Sequence, residues 1–252
     1  MVQSVERTLS ILELLGHYPN GLSITAVAKE LNLAKSTAHR LLSTLMARGY
    51  VQQDSHSGYY CLGTQCLVLA SNLLNNLDIR SVAKDALHSL SSSTEEVVHL
   101  CIEDKNEVVY IDKVESNQTL RMYSQIGRRA YMHCTGVGKV LLSDFNVDQL
   151  DQLIKEKGLP IFTENTITDR KRLLDELALI KERGYAIDEE EHEKGIRCIA
   201  APIRDYEGSI IAAISIAGPI ERVTRARVKG ALAKEIIKQS CNISNKLGYI
   251  QK

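Results

Sequence analysis

The chain has 252 residues, 44% of them hydrophobic, which is enough to bury one large core or two modest ones. It contains no apolar run of about 18 residues and no basic-then-apolar amino terminus, so neither a membrane span nor a signal peptide is expected, and the expected location is cytoplasmic. Its 31 Lys and Arg balance its 31 Asp and Glu, so overall charge gives no reason to expect nucleic acid, and any DNA contact must rest on a local patch.

In "SVERTLSILELLGHYPNG", Val5, Leu9, Leu12 and Leu15 recur at helical spacing, and Pro19, Asn20 and Gly21 end the helix. In "LSITAVAKELNLA", Ser23 can cap a second helix whose Ile24, Val27, Ala28 and Leu31 fall at i, i+3, i+4 and i+7. A turn over Asn32 to Ala34 leads to a third helix with a buried stripe of Ala38, Leu41, Leu42 and Leu45. Two short amphipathic helices joined in this way form a helix-turn-helix, whose second helix enters the major groove of DNA. "GYVQQDSHSGYYCLG" follows as two brief strands about a polar turn at Ser55 to Gly58, which adds a wing.

The outer side of the third helix carries Lys35, Ser36, Thr37, His39, Arg40 and Thr44, all hydrogen-bond donors, in place of the Glu/Lys mixture of a merely solvated face. Arg40 is the best candidate base reader, because arginine can make the bidentate contact to guanine, while the hydroxyls can reach phosphates or base edges. The bland alternative is that Ser36 and Thr37 open or cap the helix and Arg40 is a solvated charge. Arg7, His56 and Ser57 are secondary candidates for backbone contacts.

From Leu62 to Leu90 the pattern is helical, with a break near Asp78, and suits an interdomain linker followed by the first helix of a second domain. "EVVHLCIED", "EVVYIDKVES" and "LRMYSQI" read as strands. Helices are expected at Lys139 to Phe145, Asp148 to Glu156 and Asp169 to Gly184. "CIAAPIRD" and "SIIAAISIAG" flank a turn at Tyr206 to Gly208, which suggests an antiparallel hairpin, and a last helix runs from Thr224 to Leu247. The expected fold class is α+β, with a winged helix-turn-helix over 1–63, a linker helix over 64–79 and a second domain over 80–252.

Five blocks carry a resemblance over essentially the whole length: "SVERTLSILELL", "ITAVAKELNLAKSTAHRLLSTLMARGYV", "YYCLG", "IGRRAYMHCTGVGKVLLS" and "GYAIDEEEHEKGIRCIAAPIRDYEGSIIAAISIAGP". In these the sequence resembles the IclR family of bacterial transcriptional regulators. "VVHLCIED", "VVYIDKVES" and "LRMYSQIGRR" are similar to the branch that represses 2-keto-3-deoxygluconate and related sugar-acid catabolism. The resemblance implies a GAF-like α/β effector domain with an antiparallel sheet, homodimers or homotetramers on a double-stranded DNA operator, and a small organic-acid effector that alters DNA affinity.

In "CTGVGKVLL", Gly136 and Gly138 let the backbone come close to a ligand, and the free N–H groups at a helix start favour a carboxylate, although the same pattern serves as a plain tight turn. By resemblance the carboxylate-binding backbone pair falls on Gly136 and Val137. The other ligand contacts fall on Asp188, Cys198 and Ser215, with Met122 and Ile196 as apolar wall. Asp188 would accept from a hydroxyl, Ser215 could donate or accept, and Cys198 would be a weak partner. The sequence departs from the family pattern at Ala217, where some members place a second serine, and at the small Ala130. Both changes leave more room or fewer donors than in the pyruvate- or glyoxylate-binding members, which a larger sugar acid would suit. Arg121, Arg128 and Arg129 could supply a further positive end, or form surface salt bridges.

Two patterns suggest other chemistry. The run Asp188 to Glu193 could hold a metal, but consecutive residues point in different directions and such runs are usually solvated. His133 beside Cys134 could suggest a base and nucleophile, but adjacent residues of a strand point to opposite faces. The six cysteines form no C-x-x-C pair, which argues against a zinc ribbon and a disulfide framework. The reading is therefore a transcriptional regulator, more a repressor than an activator, with no catalytic constellation, cofactor or metal. The alternatives are a redox or metal sensor on the same scaffold, using Cys134, Cys198 or the acidic run, and an enzyme with an amino-terminal interaction module.

Overall fold

The computed structural model describes residues 2–75, 78–116, 118 and 124–250. The chain divides into two compact units, Met1–Leu77 and Asp78–Lys252. Among the described residues no helix is long and apolar enough to cross a membrane.

The first unit contains α1 (Gln3–Gly16), α2 (Ile24–Glu30), α3 (Lys35–Ala47), β1 (Val51–Gln53), β2 (Tyr60–Leu62) and α4 (Thr64–Asn75). Ser23 caps α2 by accepting the Ala26 N–H at 3.2 Å. The two wing strands pair antiparallel, and Leu22 bridges to Tyr60 as a third short segment. Ile11, Leu15, Val27, Leu42, Leu45, Val51 and Tyr60 form the core. The stripe of α3 is inward as its spacing requires, with Ala38, Leu42 and Leu45 buried. Helix α1 forms as its spacing indicates, with Ile11 and Leu15 as its buried positions, while Val5 and Leu9 are 55% and 53% exposed. The α1 sequence carries more apolar positions than the small unit can cover.

The second unit contains α5 (Asp78–Thr94), β3 (Val97–Asp104), β4 (Glu107–Val114), β5 (Arg129–Ala130), α6 (Gly136–Leu142), α7 (Val147–Lys157), α8 (Arg170–Arg183), β6 (Ala186–Glu189), β7 (Ile196–Arg204) and β8 (Ile210–Pro219). The chain closes with α9 (Arg225–Arg227), a π-helical turn Val228–Leu232 and α10 (Ala233–Lys246). Cap chemistry sets several ends. Asp169 accepts from Arg172 N–H at the start of α8 and Gly184 closes it at φ 79, while Asn146 and Gln149 form a reciprocal box on α7. The six strands form one antiparallel sheet in the order β5-β4-β3-β8-β7-β6. Helices α5 and α10 pack on one face and α6 on the other.

The two faces of the hairpin differ in side-chain size. Ile199, Ile203, Ile214 and Ile216 are fully buried on one face, whereas Cys198, Ala200, Ala213, Ser215 and Ala217 alternate with them on the other. Those small residues let α6 lie close: a Cβ on Gly136 would meet Cys198 Sγ at 3.2 Å and Ala200 Cβ at 3.4 Å.

Three expectations are corrected. Helix α6 starts at Gly136 rather than near Lys139, because Thr135 caps it by accepting the Gly138 N–H at 3.2 Å. His133 and Cys134 lie in the turn before that cap and not in a strand. In "LRMYSQI", residues 120–123 lie outside the described residues, Ser124 to Ile126 are not strand, and the edge strand is Arg129–Ala130.

Candidate functional site

On α3, Lys35, Ser36, His39, Arg40 and Thr44 are exposed and Thr37 is half-buried, so all six share the side away from the core. The N-cap is Ala34, which has no side-chain acceptor, so Ser36 and Thr37 do not cap the helix. Among the described residues neither Lys35 nor Arg40 has a carboxylate partner. Thr44 Oγ1 donates to the Arg40 carbonyl at 3.0 Å, which occupies its proton. At the wing, Ser57 N–H and Oγ and His56 N–H all donate to Asp54, and these bonds hold its carboxylate below the ordinary value. Ser57 is thus a turn residue, while His56 stays exposed.

In the second unit one cavity of about 50 Å³ lies between α6 and the small-residue face of the sheet. Gly136, Val137, Asp188, Ile196, Cys198 and Ser215 all line it, as do the small Ala130 and Ala217. Met122 lies outside the described residues. Strand register brings these together: Asp188 pairs with Cys198, Cys198 with Ala217, and Ala200 with Ser215. Helix α6 adds its first turn. The first N–H groups of a helix have no carbonyl four residues back, and the Thr135 hydroxyl occupies only that of Gly138. The amides of Gly136 and Val137 therefore offer two donors to the cavity that they line.

Sequence reasoning missed His99, which also lines the cavity. Its Nδ1 stands 3.3 Å from Ser215 Oγ and its Nε2 2.7 Å from Ser124 Oγ. Burial, followed by the nearby Lys113 ammonium, pushes His99 down to about 3, so it is a neutral hydrogen-bonding group. The available signal was a lone histidine at an inward position of "VVHLCIED"; its partner across β8 depends on register, which short sequence patterns do not give.

The acidic run is largely tied to cations. Glu189 pairs with Arg197 and Arg225, and Glu191 with the buried Lys139. Glu190 accepts the Gly195 N–H at 2.8 Å. Asp188 keeps its carboxylate at the cavity, where it accepts the Glu191 N–H at 2.7 Å; burial first, then Glu191, raise it to about 7. Arg129 forms edge salt bridges with Asp104 and Glu107 and does not line the cavity; Arg128 does.

Thiol chemistry is disfavoured. Burial, and then the Asp188 charge, push Cys198 up to about 12, and burial likewise raises Cys134. His133 Nε2 bonds the Pro160 carbonyl at 3.0 Å; the imidazole that approaches Cys134 Sγ is His192, at 3.6 Å. A thiol this reluctant to ionise is a poor nucleophile and a poor redox sensor.

Comparison with known proteins agrees with both halves of this geometry. Residues 4–55 match the IclR helix-turn-helix domain and residues 71–245 match the domain described as bacterial transcriptional regulator IclR C-terminal. The HTH-type transcriptional regulator XynR of Escherichia coli (strain K12) is 38% identical over 99% of this chain and 98% of its own. The HTH-type transcriptional regulator KdgR of the same organism is 37% identical over 98% and 94%. The crystal structure of the Thermotoga maritima IclR superimposes with a TM-score of 0.82 at 32% identity, covering 99% of this chain and 100% of that one. The chain therefore belongs to the IclR family and, like the family it matches over both units, is a DNA-binding transcriptional regulator and not an enzyme.

Proposed function

We propose that this regulator is a cytoplasmic repressor whose second unit binds a small organic acid and thereby shifts operator affinity, with a 2-keto sugar acid such as 2-keto-3-deoxygluconate as effector. The observation that carries the reading is the convergence of Gly136, Val137, Asp188, Ile196, Cys198 and Ser215 on one cavity beside the free first-turn amides of α6. The amides of Gly136 and Val137 suit a carboxylate. Asp188, Ser215 and neutral His99 suit hydroxyl and keto oxygens, and the small Ala130 and Ala217 make room for a longer chain. The cavity as it stands holds about three to five water-sized groups, so the longer acid is compared directly with pyruvate and glyoxylate.

Lys35, Ser36, Thr37, His39, Arg40 and Thr44 are proposed as the DNA-contacting set, with 1–63, 64–79 and 80–252 as DNA-binding, linking and effector-binding segments. A homodimer or homotetramer is part of the proposal. It is supported by the apolar surface that the first unit leaves uncovered: Val2 before α1, Val5 and Leu9 on it, and Leu67, Val68 and Leu69 on α4, are each about half exposed or more. A two-fold dimer must hold its recognition helices roughly 34 Å apart. An effector that binds the DNA-competent and DNA-incompetent arrangements unequally shifts their populations through the linker.

The test is fluorescence anisotropy on the DNA upstream of the protein's own gene, at fixed salt, titrated with 2-keto-3-deoxygluconate, pyruvate and glyoxylate. Specific binding released by the sugar acid is the expected result; binding indifferent to all three acids sinks the effector reading. In the same assay Arg40→Ala should cost about 1–3 kcal/mol of specific binding, or about 5- to 150-fold, with less effect on unrelated DNA. Asp188→Ala should keep operator affinity and lose the response. Unchanged affinity in Arg40→Ala would remove that residue as a base reader.

A further inference from the structure

We propose that the cavity takes up its acid effector together with one proton, which comes from solvent and is held on the Asp188 carboxyl. The inference rests on the effector reading above and on a count of buried charge. Three ionisable side chains behind the α6 first turn are buried: Lys139 at 1% exposure, and Asp188 and Glu191 at 5% each. The Lys139 ammonium donates to Glu191 and, at 2.6 Å, to the Ile187 carbonyl, so its charge is already matched by one carboxylate. Its next acid neighbour, Glu176 at 3.9 Å, is itself held by Arg183 at 2.6 Å. The second oxygen of Glu191 is buried without a hydrogen-bond partner. Asp188 has no ion pair with a cation among the described residues and keeps only backbone donors. The ligand-free site thus holds two carboxylates against one ammonium.

An effector carboxylate on the Gly136 and Val137 amides brings a third negative charge to the same place. Gly136, Val137 and Asp188 line the same cavity, and their backbones are close, since a Cβ on Gly136 would lie 3.7 Å from the Asp188 backbone nitrogen. Like charges in a water-poor site cannot all remain ionised, so one group takes a proton. The other groups facing Asp188 leave no better candidate. On β3 and β4, His99 and Tyr110 are neutral because burial opposes their charged forms, and the same holds for Cys134 before α6 and Cys198 on β7. Burial also lowers His192 in the β6–β7 loop, so it is uncharged at neutral pH and above. Arg128 and Glu193, which complete the lining, are exposed and opposite in sign, so together they add no net charge to the count. Burial raises Glu191 too, but the Lys139 ammonium bonded to it favours its charged form, and Asp188 has no bonded cation of that kind, which leaves Asp188. Its raised value, caused first by burial and then by Glu191, agrees with that assignment.

Two measurements on the full chain test this. Carboxyl carbon NMR of the ligand-free protein, with Asp188→Asn used to assign the signal, should show Asp188 titrating near pH 7; a midpoint near 4, the ordinary carboxylate value, overturns the proposal. Titration calorimetry with 2-keto-3-deoxygluconate, pyruvate and glyoxylate, in two buffers of different ionisation enthalpy, should show close to one proton taken up at pH 8.5. The Kd should then rise about tenfold per pH unit above the midpoint, and Asp188→Asn should flatten that slope. Binding of an acid without proton uptake refutes proton coupling and leaves the effector reading standing. If none of the three acids binds, the effector reading falls and this one falls with it.

Discussion

Lys139→Met should lower the folding stability of the second unit by about 3–5 kcal/mol, the usual cost of removing one partner of a buried ion pair. Lys139 sits on α6 at 1% exposure and joins that helix to β6 and the following loop through the Ile187 carbonyl and Glu191. Without the ammonium, Glu191 is buried with no cation, and one of its oxygens already lacks a partner. Methionine fills most of the volume, so the loss is electrostatic and should depend on pH. In the variant the folded-state Glu191 value rises further above its unfolded value. A raised carboxyl contributes stability that is present below its unfolded value and is lost as pH rises through its folded value. The deficit should accordingly be small in acid and full above neutrality. Urea unfolding at pH 5 and pH 8 measures this, and Lys139→Met/Glu191→Leu should recover most of the loss, since an apolar pair of similar size often replaces a buried ion pair without penalty. An equal deficit at both pH values would mean that packing, not charge, is what Lys139 supplies.

Lys139 also shows where sequence reading stops. The helix ends that were read correctly carry their own chemistry: Ser23 before α2, Asp169 and Gly184 about α8, and Thr224 before the last helical run. Each cap forms within a few residues, so the signal is local. The buried pairing of Lys139 with Glu191 spans 52 residues, and the contact of His99 with Ser215 spans 116; no local spacing encodes either. The α1 stripe misleads for a different reason. Val5, Leu9, Leu12 and Leu15 have helical periodicity, but periodicity marks apolar positions without saying whether the same chain covers them, and Val5 and Leu9 remain exposed. The proposed effector residues rest in the sequence mainly on the resemblance. The residues alone suggested a carboxylate at Gly136, whereas the meeting of Asp188, Cys198 and Ser215 follows from the pairing of β6, β7 and β8.

Gly138→Ala should abolish the effector response while sparing operator affinity in the absence of effector. A Cβ there would lie 2.3 Å from the Met132 carbonyl oxygen, 2.4 Å from Met132 Cα and 2.6 Å from Thr135 Oγ1. The first two are backbone atoms and cannot swing aside, so α6 must move away from the turn that caps it. Overpacking of this kind costs about 1–3 kcal/mol, and more where backbone is struck. The displacement also carries away the Gly136 and Val137 amides; charge-assisted hydrogen bonds are worth about 1.5–3 kcal/mol, so effector affinity should fall by at least about tenfold. Recognition helix α3 belongs to the other compact unit and is untouched. Two companions make the interpretation specific. A Cβ on Gly136 meets the Cys198 thiol at 3.2 Å, a side-chain atom able to yield by a few tenths of an ångström, so Gly136→Ala should be milder. A Cβ on Gly230, in the π-helical turn, meets nothing within 4 Å, and alanine there should stabilise by about 0.4–1 kcal/mol through the unfolded chain. Thermal unfolding with anisotropy on each variant should therefore rank them Gly230→Ala, Gly136→Ala and Gly138→Ala in order of increasing damage. A Gly138→Ala protein that still releases DNA on effector addition would show that the α6 first turn is not what holds the acid.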